Sequence, residues 1–197
     1  MIRIEPARLH DLPGAYRVCL RTGDAGKDAT TKIDDPDLLG HVYVGPYIAR
    51  GVGTQLVIAD GGEVAGYLLS ADDTLAFEAW AEAEWWPSLR ARYEPRAGDS
   101  MDAELIRLIH APEHTPDELL ADYPAHLHID LLEHTRGLGL GRRLIEHLLA
   151  DFRAREVVGV HFGVDEHNAN GIAFYEHLGF RELAREPGGL IMGMRLR

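Results

Sequence analysis

Arg136, Gly137, Gly139 and Gly141 are the residues of this chain whose types and spacing could do chemistry most directly. They lie in the stretch HIDLLEHTRGLGLGRRLIEHLLADF, His128 to Phe152, between an apolar-rich run and a pattern that sets Leu140, Leu144, Ile145, Leu148, Leu149 and Phe152 on one helical face. The order is strand, glycine loop, helix. Such a loop leaves the first N–H groups of the helix without intrahelical partners, and the helix dipole adds partial positive charge there. An anion, above all a phosphate, fits that end, and glycines let the backbone approach it and take φ > 0.

The spacing sorts the loop among phosphate-binding types. A Walker loop needs Lys and then Ser or Thr after its last glycine, whereas Arg142 and Arg143 follow Gly141. The G-x-G-x-x-G spacing of dinucleotide-binding loops is not met, and this loop lies about two thirds of the way along the chain. What remains, Arg136-x-x-Gly139-x-Gly141, resembles the pyrophosphate loop of the GNAT superfamily of N-acetyltransferases, written Gln/Arg-x-x-Gly-x-Gly/Ala. Downstream, after a strand-like run Val157 to Val164, the segment Asn168-Ala-Asn170-Gly-Ile-Ala173-Phe-Tyr175-Glu-His-Leu-Gly179-Phe180 resembles that family's Asn-x-x-Ala-x-x-Tyr-x-x-x-Gly-Phe segment, with one residue in place of two between Ala173 and Tyr175. Asn168 reads as a helix N-cap, Gly179 as a left-handed terminator, and Phe180 as the apolar residue packing back on the last turn.

The resemblance implies an α/β (α+β) fold with a mixed central sheet of about seven strands, splayed between the fourth and fifth and flanked by helices. It implies acetyl-coenzyme A as co-substrate and direct transfer of acetyl to an amine or peptide acceptor in a ternary complex, without an acyl-enzyme. Gly137, Leu138, Gly139, Leu140, Gly141 and Arg142 would supply backbone donors to the diphosphate, with Arg136 beside them. Ile129, Leu131 and Leu132 of the fourth strand would pair with the amide-rich pantetheine arm, a backbone N–H near Leu131 would polarise the thioester carbonyl, and Asn170 would hold the arm. Tyr175 stands at the family's position for the general acid that protonates the departing thiolate.

The base is open. Asp130 leads as a carboxylate on an otherwise apolar strand. Alternation puts it on one face with His126 and His128, opposite Ile129 and Leu131, so a structural role facing a helix and a catalytic role both stand, as does deprotonation by water. Eleven histidines raise the question of a metal. His126 and His128 share a strand face, yet His110, His114 and His134 offer no third ligand at a convincing spacing, and no metal is expected. No G-x-S-x-G elbow places a nucleophile.

These residues must be positioned by the rest of a 197-residue chain, read as one domain over 1–197. Its 20 basic against 32 acidic residues oppose binding to nucleic acid or an anionic membrane and favour a cationic acceptor. No apolar run is long enough for a membrane span and no signal-peptide core opens the chain, so the expected location is cytoplasmic, as monomer or homodimer. Cys19, the sole cysteine, reads as a small buried residue. Predicted elements are a strand at Ile2–Ile4, a helix from Asp11-Leu12-Pro13, a polar loop Gly23–Lys32, a short helix from Asp34 toward Pro46, and a hairpin turning at Asp60-Gly61-Gly62. Residues 71–125 read as a helical insertion before the fourth strand, with helical patterns at Thr74–Tyr93, Ala103–His110 and Pro116–Asp122. Its Trp80, Trp85 and Trp86 read as core or as the wall of an acceptor cleft.

Asp35-Pro36-Asp37, Val44-Gly45-Pro46-Tyr47, Trp86-Pro87 leading to Tyr93, and Tyr123-Pro124 ahead of His128-Ile129-Asp130 are together similar to the acetyltransferase-like domain of the O-GlcNAcase group and its free-standing bacterial relatives. Members with a degraded loop are regarded as pseudo-acetyltransferases, so a non-catalytic module that recognises a peptide or protein is the competing expectation. The intact loop favours coenzyme binding.

Overall fold

The computed structural model describes residues 1–197. Seven strands form one sheet: β1 (Arg3–Pro6), β2 (Gln55–Asp60), β3 (Glu63–Ala71), β4 (Ala125–Leu131), β5 (Gly159–Asp165), β6 (Arg181–Glu186) and β7 (Gly189–Arg195). Their order is β1-β2-β3-β4-β5-β7-β6. Every neighbouring pair is antiparallel except β4–β5, which is parallel. That pair has register only at Ala125↔Val160 and His126↔His161, after which the two strands part.

Alternation along the strands divides the core cleanly. Val57, Tyr67 and Leu69 join one buried cluster with α1 (Leu12–Thr22), α2 (Leu38–Tyr43) and α3 (Gly45–Arg50). Leu56, Ile58, Leu68, Ala125 and Leu127 join a second with α8 (Leu140–Ala154) and Phe180. The sheet therefore carries α1–α3 on one face and α8 on the other. Between Gly61 and Gly62, both at positive φ, the β2–β3 hairpin turns as the Asp-Gly-Gly signal requires.

Local chemistry sets the element ends. The helix expected from Asp34 toward Pro46 is two helices, because Gly45-Pro46 breaks the first and Pro46 opens the second. The Thr74–Tyr93 pattern is likewise divided into α4 (Thr74–Trp80), a π turn at Ala81–Trp85 and α5 (Trp86–Arg92), with Pro87 in the first turn of α5. The remaining helices before β4 are α6 (Met101–His110), capped by Ser100, and the single turn α7 (Asp117–Leu120). Strand β1 starts one residue later than its apolar pattern suggested and runs through Pro6, which takes an edge where a missing N–H is tolerated. No helix is long and apolar enough to cross a membrane.

Since the lining of α8 is buried throughout, truncating it should be costly and truncating the loop beside it should not. Leu148, fully buried, should lose about 2–5 kcal/mol on replacement by alanine, whereas Leu138, 56% exposed, should change by less than about 0.5 kcal/mol; urea denaturation of the two variants measures both.

Candidate active site

The glycine loop lies between the end of β4 and the start of α8. Gly139 caps α8 in the left-handed region at φ 73° and Gly137 takes the same φ; a Cβ at either would meet nothing within 4 Å, so conformation, not crowding, calls for glycine, and the space above the loop is open. The backbone N–H groups from Gly137 through Arg142 make no hydrogen bond within the protein, while Arg143 N–H already donates to the Gly139 carbonyl. Leu140 is buried and anchors the helix start, whereas Leu138 and Arg142 are exposed. A run of unpaired donors at the tip of a helix is an anion site in electrostatic terms.

Arg136 adopts a different task from a free phosphate contact. Its Nε donates to the Leu131 carbonyl at 3.0 Å and its Nη2 to the Gly26 carbonyl at 2.8 Å, so it braces the loop against β4 and against the turn after α1. Arg142 reaches Glu146 at 3.6 Å, one helical turn on.

Leu132 N–H donates to the Ala65 carbonyl, which fixes the phase of the β3–β4 ladder. By alternation the backbone groups of Asp130 and His128 also point to β3, and those of Ile129 and Leu131 point to the side where β5 has departed. Ile129 and the N–H of Leu131 thus present an unpaired strand edge, the Leu131 carbonyl being taken by Arg136. Leu132 does not belong to it: its N–H is used on β3 and its carbonyl accepts from both the N–H and the hydroxyl of Thr135.

Across the gap stands α9 (Ala169–His177), whose N-terminus is capped by Asn168 Oδ1 accepting from Gly171 N–H at 3.0 Å. Gly179 at φ 94° ends it and Phe180 is buried behind it. Asn170 is exposed at its first turn. Tyr175 is half-buried against Phe162, ring centroids 4.4 Å apart, and its hydroxyl has no protein partner. Burial, and then the charge of Asp130, push that hydroxyl far above the ordinary tyrosine range, so it is a held proton.

On the opposite face of the sheet the gap opens into a cavity of about 670 Å³. Its floor is formed by His126, His128 and His161, its walls by Tyr43, Tyr47, Phe77 and Trp86, and its rim carries Glu78, Glu113, Glu118 and Glu186. No Lys or Arg lines it. Residues 112–119, between α6 and the end of α7, cover one side, tied down where Glu78 accepts from His114 Nδ1 at 2.9 Å and from Thr115 N–H at 3.2 Å. The His126 ring lies between the other two, its centroid 6.3 Å from that of His128 and 5.9 Å from that of His161. Desolvation, followed by the charge of its imidazole neighbours, holds His126 well below the ordinary histidine range and His128 at about 4. His161 is also lowered, chiefly by burial.

Asp130 is on the same sheet face but outside the cavity. Its Oδ2 accepts from the Tyr67 hydroxyl at 2.5 Å, beside Cys19 and Thr22 of α1. Burial raises it to about 6, against the lowering effects of Tyr67, Thr22 and Arg136. Of the sequence-derived residues, then, the structure brings Ile129, Leu131, the glycine loop and Tyr175 to one gap, leaves Asn170 exposed at the first turn of α9, and sets Asp130 and Leu132 aside from the gap. Thr74 and His161 had no signal of their own in the sequence and Tyr47 stood there only within the Val44-Gly45-Pro46-Tyr47 marker; His126-x-His128 did, but its partners are Tyr47 and His161 and not His110, His114 or His134.

Known proteins agree with this geometry. The model of the acetyltransferase (GNAT) family matches residues 41–180. Protein O-GlcNAcase of Rattus norvegicus is 25% identical over 189 residues, covering 94% of this chain but 20% of its own length, so the chain spans about a fifth of the O-GlcNAcase it matches. The crystal structure of SsHAT superposes with a TM-score of 0.91 at 33% identity over 100% of this chain and 98% of that one. The ribosomal-protein-S18-alanine N-acetyltransferase of Escherichia coli, at 19% identity and a TM-score of 0.54 over 100% and 94%, shares the fold. With the glycine loop at the foot of a parted β4–β5 pair and a family match over most of its length, the chain belongs to the acetyltransferase (GNAT) family.

Proposed function

We propose that this protein transfers acetyl from acetyl-coenzyme A to a primary amine that enters from the acidic cavity. The observation that carries the reading is the run of unpaired N–H groups from Gly137 through Arg142 beside the free edge formed by Ile129 and the Leu131 N–H. The first is suited to a diphosphate and the second to an amide-rich arm, so the residues present fit coenzyme A. Bound there, the coenzyme supplies an acetyl thioester.

The chain's own groups then divide the work. The Leu131 N–H lies on the free edge and donates to the thioester carbonyl oxygen, where negative charge develops. Asn170 holds the arm from the α9 side. Tyr175, protonated at neutral pH, gives its proton to sulfur as the carbon–sulfur bond breaks. On the other face, four rim carboxylates and no fixed cation favour a positively charged acceptor, and the aromatic walls accommodate its apolar stem. Residues 71–125 act in this reading as an insertion that shapes the acceptor side. A coenzyme-binding module without turnover is the second reading; it draws on Asp130, which is tied to Tyr67 and turned to α1 instead of serving the cavity.

Gly139→Glu puts bulk and negative charge where the donors converge and disfavours positive φ. Isothermal titration should show acetyl-coenzyme A affinity falling at least 100-fold, and unchanged affinity would contradict the loop assignment. Tyr175→Phe should lower kcat on the order of 100-fold in a thiol-release assay with affinity retained. Asp130 yields a third expectation. Its folded-state value of about 6 stands above the ordinary carboxylate near 4, so its contribution to stability is present below about pH 4 and lost as pH rises through about 6. Asp130→Asn should therefore gain on wild type by on the order of 2 kcal/mol between pH 4 and 7 in urea titrations. A variant that loses ground over that range would show Asp130 ionised and stabilising.

A further inference from the structure

The histidine floor can be solved for its protons. Thr74 Oγ1 is 2.7 Å from the Pro124 carbonyl, which can only accept, so the threonine hydroxyl donates there. The same Oγ1 is 2.7 Å from His126 Nδ1 and has no second proton, so that contact is His126 Nδ1–H donating to Thr74. His126 is neutral, hence its Nε2 is bare and accepts from the Tyr47 hydroxyl at 2.7 Å. Tyr47 has thereby used its one proton. Its 3.0 Å contact with His128 Nε2 must then be His128 Nε2–H donating to the Tyr47 oxygen. His128 is neutral as well, which leaves Nδ1 with a lone pair, no protein partner, and a place on the cavity floor.

We propose that His128 takes the proton from the acceptor amine at Nδ1, and that Thr74, His126 and Tyr47 are positioning residues that fix its tautomer from the Pro124 carbonyl. The proposal rests on the amine-acetylation reading above. In the step, the acceptor ammonium first gives one proton to water in the cavity; the free amine nitrogen then bonds to the acetyl carbonyl carbon and the carbon–sulfur bond breaks with its electron pair going to sulfur. The nitrogen's proton passes to His128 Nδ1 and the Tyr175 hydroxyl proton passes to sulfur. His128 then releases its proton to water in the cavity and Tyr175 regains one. His128 directly precedes Ile129 and lies beyond the last β4–β5 register pair, His126↔His161, whereas His161 is at that pair and donates Nδ1–H to the Tyr123 carbonyl. The gap begins on the His128 side.

The test has two arms. Histidine ¹⁵N NMR on the intact protein at pH 7 reads the tautomers without any turnover: His126 should carry its proton on Nδ1 and His128 on Nε2, and a His128 Nδ1–H form overturns the proposal. In the kinetic arm, thiol release is followed with phenethylamine, putrescine and a lysine-containing tripeptide, using whichever is acetylated fastest. His128→Gln keeps an N–H for Tyr47 and lacks the base. Its kcat should fall about 100-fold with the amine KM, acetyl-coenzyme A affinity and thermal midpoint held near wild type. Thr74→Val should lower kcat about 10-fold without moving KM, and Thr74→Ser should restore it. Full activity in His128→Gln, or a loss that follows His161→Gln instead, defeats the proposal alone. A wild-type protein that binds acetyl-coenzyme A and acetylates none of the three amines defeats the reading beneath it as well.

Discussion

Backbone pairing between β4 and β5 that stops after His126↔His161 is the constraint on which the rest of the structure depends. A parallel pair buried within a sheet normally satisfies its N–H and C=O groups along its whole length, because an unmet buried polar group costs on the order of 1–3 kcal/mol. Here Ile129 and the Leu131 N–H forgo that pairing, which water or a ligand must take up, while the Leu131 carbonyl accepts from Arg136. Large apolar clusters cover the two sheet faces around the gap: α1–α3 with the first cluster, α8 with the second.

Two chemically distinct surfaces meet at that gap. On the α8 side, backbone donors and a dipole suit a dianionic ligand, and glycine is demanded at Gly137 and Gly139 by φ alone. On the α1–α3 side, side chains suit a cation: carboxylates at the rim and neutral imidazoles on the floor. A sheet that is continuous elsewhere keeps the two apart. Their opposite electrostatic character gives each face one kind of ligand and lets both ligands reach the same opening.

The glycine loop and α9 were legible in the sequence because each rests on local rules, whereas the mixed seven-stranded sheet and its splay followed from the resemblance those motifs carry. Gly137 through Arg142 is a helix tip whatever surrounds it, and Asn168 and Gly179 bound a helix by capping chemistry. Asp130 was legible only as a half-answer: alternation grouped it with His126 and His128, but not which of them meets the cavity and which meets α1. That depends on Tyr67, which is 63 residues away in sequence, and on Tyr47, 79 residues from His126. Side-chain hydrogen bonds at such separations leave no periodic trace. Arg136 shows the same limit, since its motif position was plain while its bond to the Gly26 carbonyl depends on a turn 110 residues earlier.

The most direct measurement is a crystal structure of the protein with acetyl-coenzyme A. The account predicts the diphosphate within hydrogen-bonding distance of the N–H groups between Gly137 and Arg142, and the pantetheine amides paired with Ile129 and Leu131 in the β4–β5 gap. A coenzyme bound on another face, or one that leaves those donors and that strand edge untouched, would contradict it.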